Sequence, residues 1–208
     1  MKGLLIKDLY MAKSYCKSYV LIIVVFLAVS AFGDDNVFFI FYPLLMAGII
    51  PVTLLAYDEK SGWSQYCGVL PYSKSQIVSA KFIIGLVLQA TVLLLSAIVQ
   101  AVRMAANGGV VFSELAVLIA TLFTIALFAS SICLPFMFRY GVEKGRMAYY
   151  VMIGLATALA TMAKLAGGDA FLAMNPNLLL PILCVVSVAI YALSWYLSIV
   201  FYNKRDSY

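Results

Sequence analysis

Residues 82–102 read FIIGLVLQATVLLLSAIVQAV, twenty-one consecutive positions without a charge. About 20 mainly apolar residues are enough to carry a helix across the hydrocarbon core of a bilayer. Working outward, five more runs read the same way: roughly Tyr15 or Tyr19 to Phe32, Val37 to Tyr57, Leu115 to Phe138, Met147 to Ala163 and Leu178 to Tyr202. The first is the weakest, because its uncharged run is short, and Lys13 and Lys17 can extend it by reaching to the headgroups. The six runs cover well over half of the 208 residues and leave no room for a soluble domain. The sequence therefore predicts an all-α polytopic integral membrane protein with six transmembrane helices, one domain over 1–208.

Composition agrees. Hydrophobic residues make up 65% of the chain and charged ones 11%, against about 45–50% and about 25% in soluble domains. Mean hydropathy is +1.04. That much apolar surface exceeds what one core in water can hide, so the solvent for most of the chain is lipid. Disorder, a nucleic-acid-binding domain and a disulfide scaffold are excluded at this level. Cys16, Cys67, Cys133 and Cys184 stand far apart with no CxxC pair, and histidine is absent. His-ligated metals, His general bases and Ser-His-Asp chemistry go with it.

The formal charge of +5 is a topology signal. Lys2, Lys7, Lys13, Lys17, Lys60, Lys74, Lys81, Arg139, Lys144, Arg146, Lys204 and Arg205 fall on one side of the expected spans, and only Arg103 and Lys164 on the other. Short cytoplasmic loops carry the excess of Lys and Arg, so both termini are expected in the cytoplasm. The opposite loops hold Asp34, Asp35, Glu114 and Asp169. Lysines followed by Val20–Val29 and Val29-Ser30-Ala31 also fit a cleavable signal peptide, a rival reading of the first run.

Residues 1–17 plot as an amphipathic helix. Leu4, Leu5, Leu9, Met11, Ala12, Tyr15 and Cys16 share one half and Lys2, Lys7, Lys13 and Lys17 the other, while Asp8 sits wrongly among the apolar residues. Such a helix lies in the membrane interface; the plainer alternative is an extended start to the first span. The longest and least apolar loop, 58–81, contains Asp58-Glu59-Lys60-Ser61-Gly62-Trp63-Ser64-Gln65-Tyr66 and, after Leu70-Pro71, Ser73-Lys74-Ser75-Gln76. Ser73 and Gln76 fit a capping box that starts a helix running through Lys81 into the third span. Trp63 is either a peg for a soluble partner, since aromatic residues dominate interface hot spots, or an anchor in the headgroups.

Inside the third span, Gly85, Gln89, Ser96, Gln100 and Arg103 form a polar stripe at helical spacing. It is read either as a lining of a translocation path (Gln89, Ser96, Gln100, Arg103) or as interhelical hydrogen bonding. The fifth run is rich in small residues, from Gly154 to Ala163, which allow close helix packing. Pro43 and Pro51 interrupt the second.

The Lys-rich start, the six runs with both ends on one side, and above all Asp58-Glu59-Lys60-Ser61-Gly62-Trp63 resemble the membrane permeases of type-2 ABC exporters in their small bacterial form. More narrowly, the chain is similar to permease subunits that export phenol-soluble modulins, which are amphipathic peptides. The resemblance implies a multi-pass protein of the bacterial cytoplasmic membrane and a coupling helix after the second span that docks into an ATPase. The candidates for docking are Asp58, Glu59, Lys60, Ser61, Gly62, Trp63 and Tyr66. It also implies that residues 1–17 form a connecting helix, and that a second permease copy or a paralogue completes the assembly. The outer segment from Lys164 to Asn177 is short, so any extracellular gate is small.

No glycine is followed by lysine, so the chain lacks a P-loop. ATP and magnesium are expected on a separate cytosolic ATPase, with no cofactor in this chain and no enzyme activity of its own. A stand-alone secondary transporter or channel is the alternative, and calls for ionisable residues near the midplane and often an internal repeat. An intramembrane enzyme lacks the buried carboxylate pair, Ser-Lys dyad or metal ligands it requires. Topology reporters fused after Asn36, Asn107 and Gly168 are expected to read as external, and an internal signal at any of the three would overturn the charge argument.

Overall fold

A computed structural model describes residues 2–32, 37–67, 69, 71–106, 109, 111–145, 147, 150–151, 154, 158 and 176–204. They form α1 (Lys2–Tyr15), α2 (Lys17–Phe32), α3 (Val37–Lys60), α4 (Trp63–Cys67), α5 (Lys74–Ala106), α6 (Phe112–Tyr140) and α7 (Pro176–Lys204), with no strand among the described residues. The longest, α5, starts at a reciprocal cap. The Gln76 N–H donates to Ser73 Oγ at 3.3 Å and the Ser73 N–H to Gln76 Oε1 at 3.4 Å, the expected capping box. From there 33 residues run without a break through Lys81. At 1.5 Å per residue that is roughly 50 Å, well beyond a hydrocarbon core of about 30 Å, so α5 projects from the apolar zone.

Among the described residues four helices (α3, α5, α6 and α7) are long and apolar enough to cross a membrane, and α1 with α2 adds a fifth if the bent pair is one span. The two helices meet at Cys16 with a bend of 71°. α2 alone has 16 residues, about 24 Å, short for a span. Five of the six expected runs thus coincide with α2, α3, α5, α6 and α7. The remaining one, the fifth run from Met147 to Ala163, lies largely outside the described residues, which hold up to five of the six predicted spans.

α3 and α5 are central: α3 packs on α1, α2, α5 and α6, and α5 on α1, α2, α3, α6 and α7. Their close approach depends on Gly85, where an added Cβ would stand 3.1 Å from Pro51 Cγ. Proline in α6 is handled differently. Pro135 has no N–H to give the carbonyl of Ser131, one turn back. Ser194 Oγ of α7 donates to that carbonyl at 2.7 Å instead, so α7 repairs the defect in α6.

Two apolar clusters fill the bundle. One joins α1, α2, α3, α5 and α6 around Leu44, Ala47, Leu54 and Ile84; the other joins α3, α5, α6 and α7 around Val78, Phe82, Leu134 and Phe138. Phe82 is wholly buried, stacked on Trp195 at 5.5 Å and Phe138 at 6.4 Å, with Tyr191 edge-on at 5.4 Å. The polar edges of its neighbours are satisfied: Tyr191 O–H donates to the Phe82 carbonyl and Trp195 Nε1 to Ser79 Oγ, both at 3.0 Å. Gly85→Leu is expected to wedge α5 from Pro51 and cost about 1–3 kcal/mol, as overpacking does. Thermal melting in detergent reads it, and an unchanged melting temperature would deny the close contact.

Candidate coupling site

The apolar face of α1 is narrower than its helical wheel suggests. Leu4, Asp8 and Ala12 are buried, one turn apart, followed by Cys16, with Leu5 and Met11 packed beside the core, whereas Leu9 and Tyr15 are exposed. Asp8, the misfit of the sequence reading, is the centre of that buried row.

It is buried because two lysines meet it. Lys81 Nζ lies 2.8 Å from Asp8 Oδ1 and 2.6 Å from Asp58 Oδ2; Lys7 Nζ lies 2.8 Å from Asp58 Oδ1 and 3.2 Å from Asp8 Oδ1. Each cation touches both anions, giving a closed ring of alternating charge with no net charge. Asp8, Asp58 and Lys81 are 1%, 6% and 2% exposed. The ring ties α1 (Lys7, Asp8), the end of α3 (Asp58) and the start of α5 (Lys81) into one joint. Removing a partner from a buried pair costs about 3–5 kcal/mol because it strands a charge, whereas replacing a matched pair by apolar side chains is often neutral.

Glu59, the next residue, reaches the other way. Its Oε2 accepts the Val142 N–H at 2.9 Å. Residues 142–145 are helical, and a carboxylate at a helix start satisfies a free N–H and suits its positive end. The joint itself turns at Gly141, with φ of +82°, whose N–H closes α6 on the Met137 carbonyl at 3.0 Å. Asp58 and Glu59 therefore hold α1, α5 and the joint after α6 from one point.

Beyond Lys60 the chain reverses through Gly62, at φ of +69°, a left-handed conformation that glycine adopts without steric cost. The reversal places α4 under α1: Lys7 Nζ lies 4.2 Å from the Trp63 ring centroid, a cation–π contact, and Trp63 neighbours Tyr66 at 6.2 Å. Tyr15 stacks on Tyr57 at 4.4 Å, a second tie between α1 and α3. Cys67 is buried here. Burial pushes its thiol above the ordinary value, with Lys7 lowering it and Asp58 raising it, so little thiolate forms at neutral pH.

The seven docking candidates divide accordingly. Asp58 and Glu59 face inward, Trp63 is half-buried beneath Lys7, Gly62 makes the turn, and Lys60, Ser61 and Tyr66 are exposed. The sequence reading missed Lys7 and Lys81 as partners of Asp58, and Asp8 as the second acid those lysines share. The one available signal was Asp8 on the wrong face of its helix.

The polar stripe of α5 also finds partners within the chain. Gln89 Nε2 donates to Ser130 Oγ at 2.6 Å and the Ala126 carbonyl at 3.1 Å, both on α6. Gly48 of α3 leaves room for that amide, since a Cβ would stand 3.1 Å from Nε2. Gln100 Nε2 donates to Ser30 Oγ of α2 at 2.8 Å. Ser96 is buried with no hydrogen-bond partner for its hydroxyl, as is Gln89 Oε1; Arg103 is half-buried near the far end of α5. Among the described residues no cluster of three or more Cys, Asp or Glu could hold a metal ion.

A bundle with several helices long and apolar enough to cross a membrane is the architecture of a polytopic membrane protein. Residues 3–203 match the family described as ABC-2 family transporter protein, and the chain belongs to that family. It is therefore a multi-pass membrane protein and the transmembrane, non-catalytic component of an ABC-type transporter, a family that works with an ATPase. No curated protein and no solved structure matches the chain.

Lys81→Met is expected to lower stability by about 3–5 kcal/mol, and Asp8→Leu combined with Lys81→Met to recover most of that loss, because Lys7 and Asp58 remain paired. Melting of the purified protein checks both. A double variant as unstable as the single one would show that the ring is not a balanced unit.

Proposed function

We propose that this chain is the permease of an ATP-driven bacterial exporter, with six spans, both termini in the cytoplasm, and a separate cytosolic ATPase docked on α4. The reading rests on one observation above others: Asp58 and Glu59, beside α4, grip α1, α5 and the joint after α6 together. A displacement of α4 by the ATPase reaches three helices through adjacent residues. Tyr66, exposed on α4, and Val69, exposed just beyond it, offer the apolar surface to dock on. ATP and magnesium belong to that partner. A second permease copy or a paralogue completes the assembly, and the N-terminal helix serves as the connecting helix, bent 71° from α2 and lying along the membrane surface.

For the cargo, the reading favours an amphipathic peptide, as in exporters of phenol-soluble modulins. Small ions need fixed ligands or continuous water to replace their hydration shell. Of the buried polar side chains on α5, Gln89 and Gln100 already bond to α6 and α2. For Gln89, Ser96, Gln100 and Arg103 to border a translocation path, α5 has to part from α2 and α6. A stand-alone secondary transporter fits less well, since Asp8 and Asp58 are each paired with lysine at the end of the bundle.

Reconstitution with the ATPase tests the reading: amphipathic peptide should stimulate ATP hydrolysis, and stimulation by salt or an ion gradient alone would overturn it. Tyr66→Ala is expected to reduce recovery of the ATPase on co-purification about tenfold or more, the worth of an aromatic hot spot, without changing the melting of the permease. Recovery equal to that of the unmodified chain would remove α4 from the interface.

A further inference from the structure

Along the outside of the bundle, α6 and α7 enclose a cavity of about 500 Å³. Its long walls are hydrocarbon, with Pro135 on α6 and Ile190, Leu193 and Leu197 on α7, and Leu193 and Leu197 are exposed, so the trough opens sideways. The two serines in it are spent within the protein: Ser131 Oγ donates to the Leu127 carbonyl at 2.6 Å and Ser194 Oγ to the Ser131 carbonyl at 2.7 Å. The trough floor thus asks nothing polar of an occupant.

One end is different. Arg139 closes it, with its guanidinium carbon 4.8 Å from the Phe201 ring centroid and 5.2 Å from that of Tyr140. Both aromatic rings lie within cation–π distance of the guanidinium. None of the described carboxylates pairs with it; the four ion pairs given among the described residues belong to the ring at Asp8 and Asp58. Arg139 stands three residues before Val142, which Glu59 caps, so it lies at the same end of the bundle as that ring.

We propose that this cavity is a binding site for an anionic phospholipid of the leaflet on that side. The phosphate pairs with Arg139 and one acyl chain lies along the trough. The dimensions agree. From Phe201 back to Ile190 is eleven residues of helix, about 16 Å, and one leaflet of the hydrocarbon core is about 15 Å. An exposed guanidinium with no ion pair among the described residues matches a phosphate bidentately. A free anion leaves the apolar walls unused, and a zwitterionic lipid brings its own cation to Arg139. The proposal needs α6 and α7 to be in the membrane, not any particular cargo, so it stands apart from the exporter reading.

Delipidated protein titrated with phosphatidylglycerol or phosphatidylcholine and followed by native mass spectrometry tests it. The unmodified chain is expected to prefer phosphatidylglycerol about tenfold, the worth of one charge-assisted contact. Arg139→Gln should bring the ratio to about one, while Lys144→Gln, which removes an exposed cation outside the cavity, should leave it unchanged. Leu193→Trp, filling the trough, should weaken both lipids. Glycerol phosphate, a headgroup without chains, should not compete. A preference that survives Arg139→Gln, or is lost equally in Lys144→Gln, would overturn the site, and competition by glycerol phosphate would make it a free-anion site instead.

Discussion

Four charges that cancel, three of them buried, where α1, α3 and α5 meet, constrain everything around them. A single buried lysine or aspartate would cost several kcal/mol in desolvation. The ring of Lys7, Asp8, Asp58 and Lys81 avoids that only if all four arrive together. The requirement fixes the register of α1 against α5, and it explains why α1 turns 71° at Cys16 to lie across the bundle end, where Asp8 can reach Lys81. Hydrophobic burial alone is non-directional and specifies no such angle.

Adjacent residues divide the work on two neighbouring helices. On α3, Asp58 turns to α1 and α5 while Glu59 turns to the joint at Val142. On α5, Lys81 enters the charge ring while Phe82 enters the aromatic stack with Phe138, Tyr191 and Trp195. Successive positions on a helix point about 100° apart, so one short stretch addresses two neighbours. Movement at the end of α3 is in this way felt at α1 and, through α5, at α6 and α7. The permease reading takes its physical content from that arrangement.

What the sequence made legible was local. The capping box at Ser73 and Gln76, the uncharged runs, and the continuation of α5 through Lys81 all depend on residues within a few positions of one another. Asp8 was legible as an anomaly but not as a site, because its partner is 73 residues away. Lys81, beside an apolar run, reads as a loop charge. The stripe at Gln89, Ser96 and Gln100 was visible by periodicity, yet the bonds to Ser130 and Ser30 depend on which helices flank α5, and periodicity is silent there. Trp63 divided between peg and anchor in the sequence; the structure adds a third neighbour, Lys7, that neither reading held.

The ring is also built to rearrange without exposing its members one by one. Each lysine contacts both aspartates, so one bond can break while every charge keeps an opposite neighbour. Lys7, whose side chain is 23% exposed, is the member open to water, and it is the one stacked on Trp63. In the proposed exporter, a load on α4 reaches the ring first at its best-solvated corner, where a charge is least costly to move. The apolar contacts deeper in the bundle offer no comparable step, because close-packed side chains exchange one packing for another and do not yield gradually. In the proposed exporter, this joint at the end of the bundle passes a local displacement on to the helices it ties together.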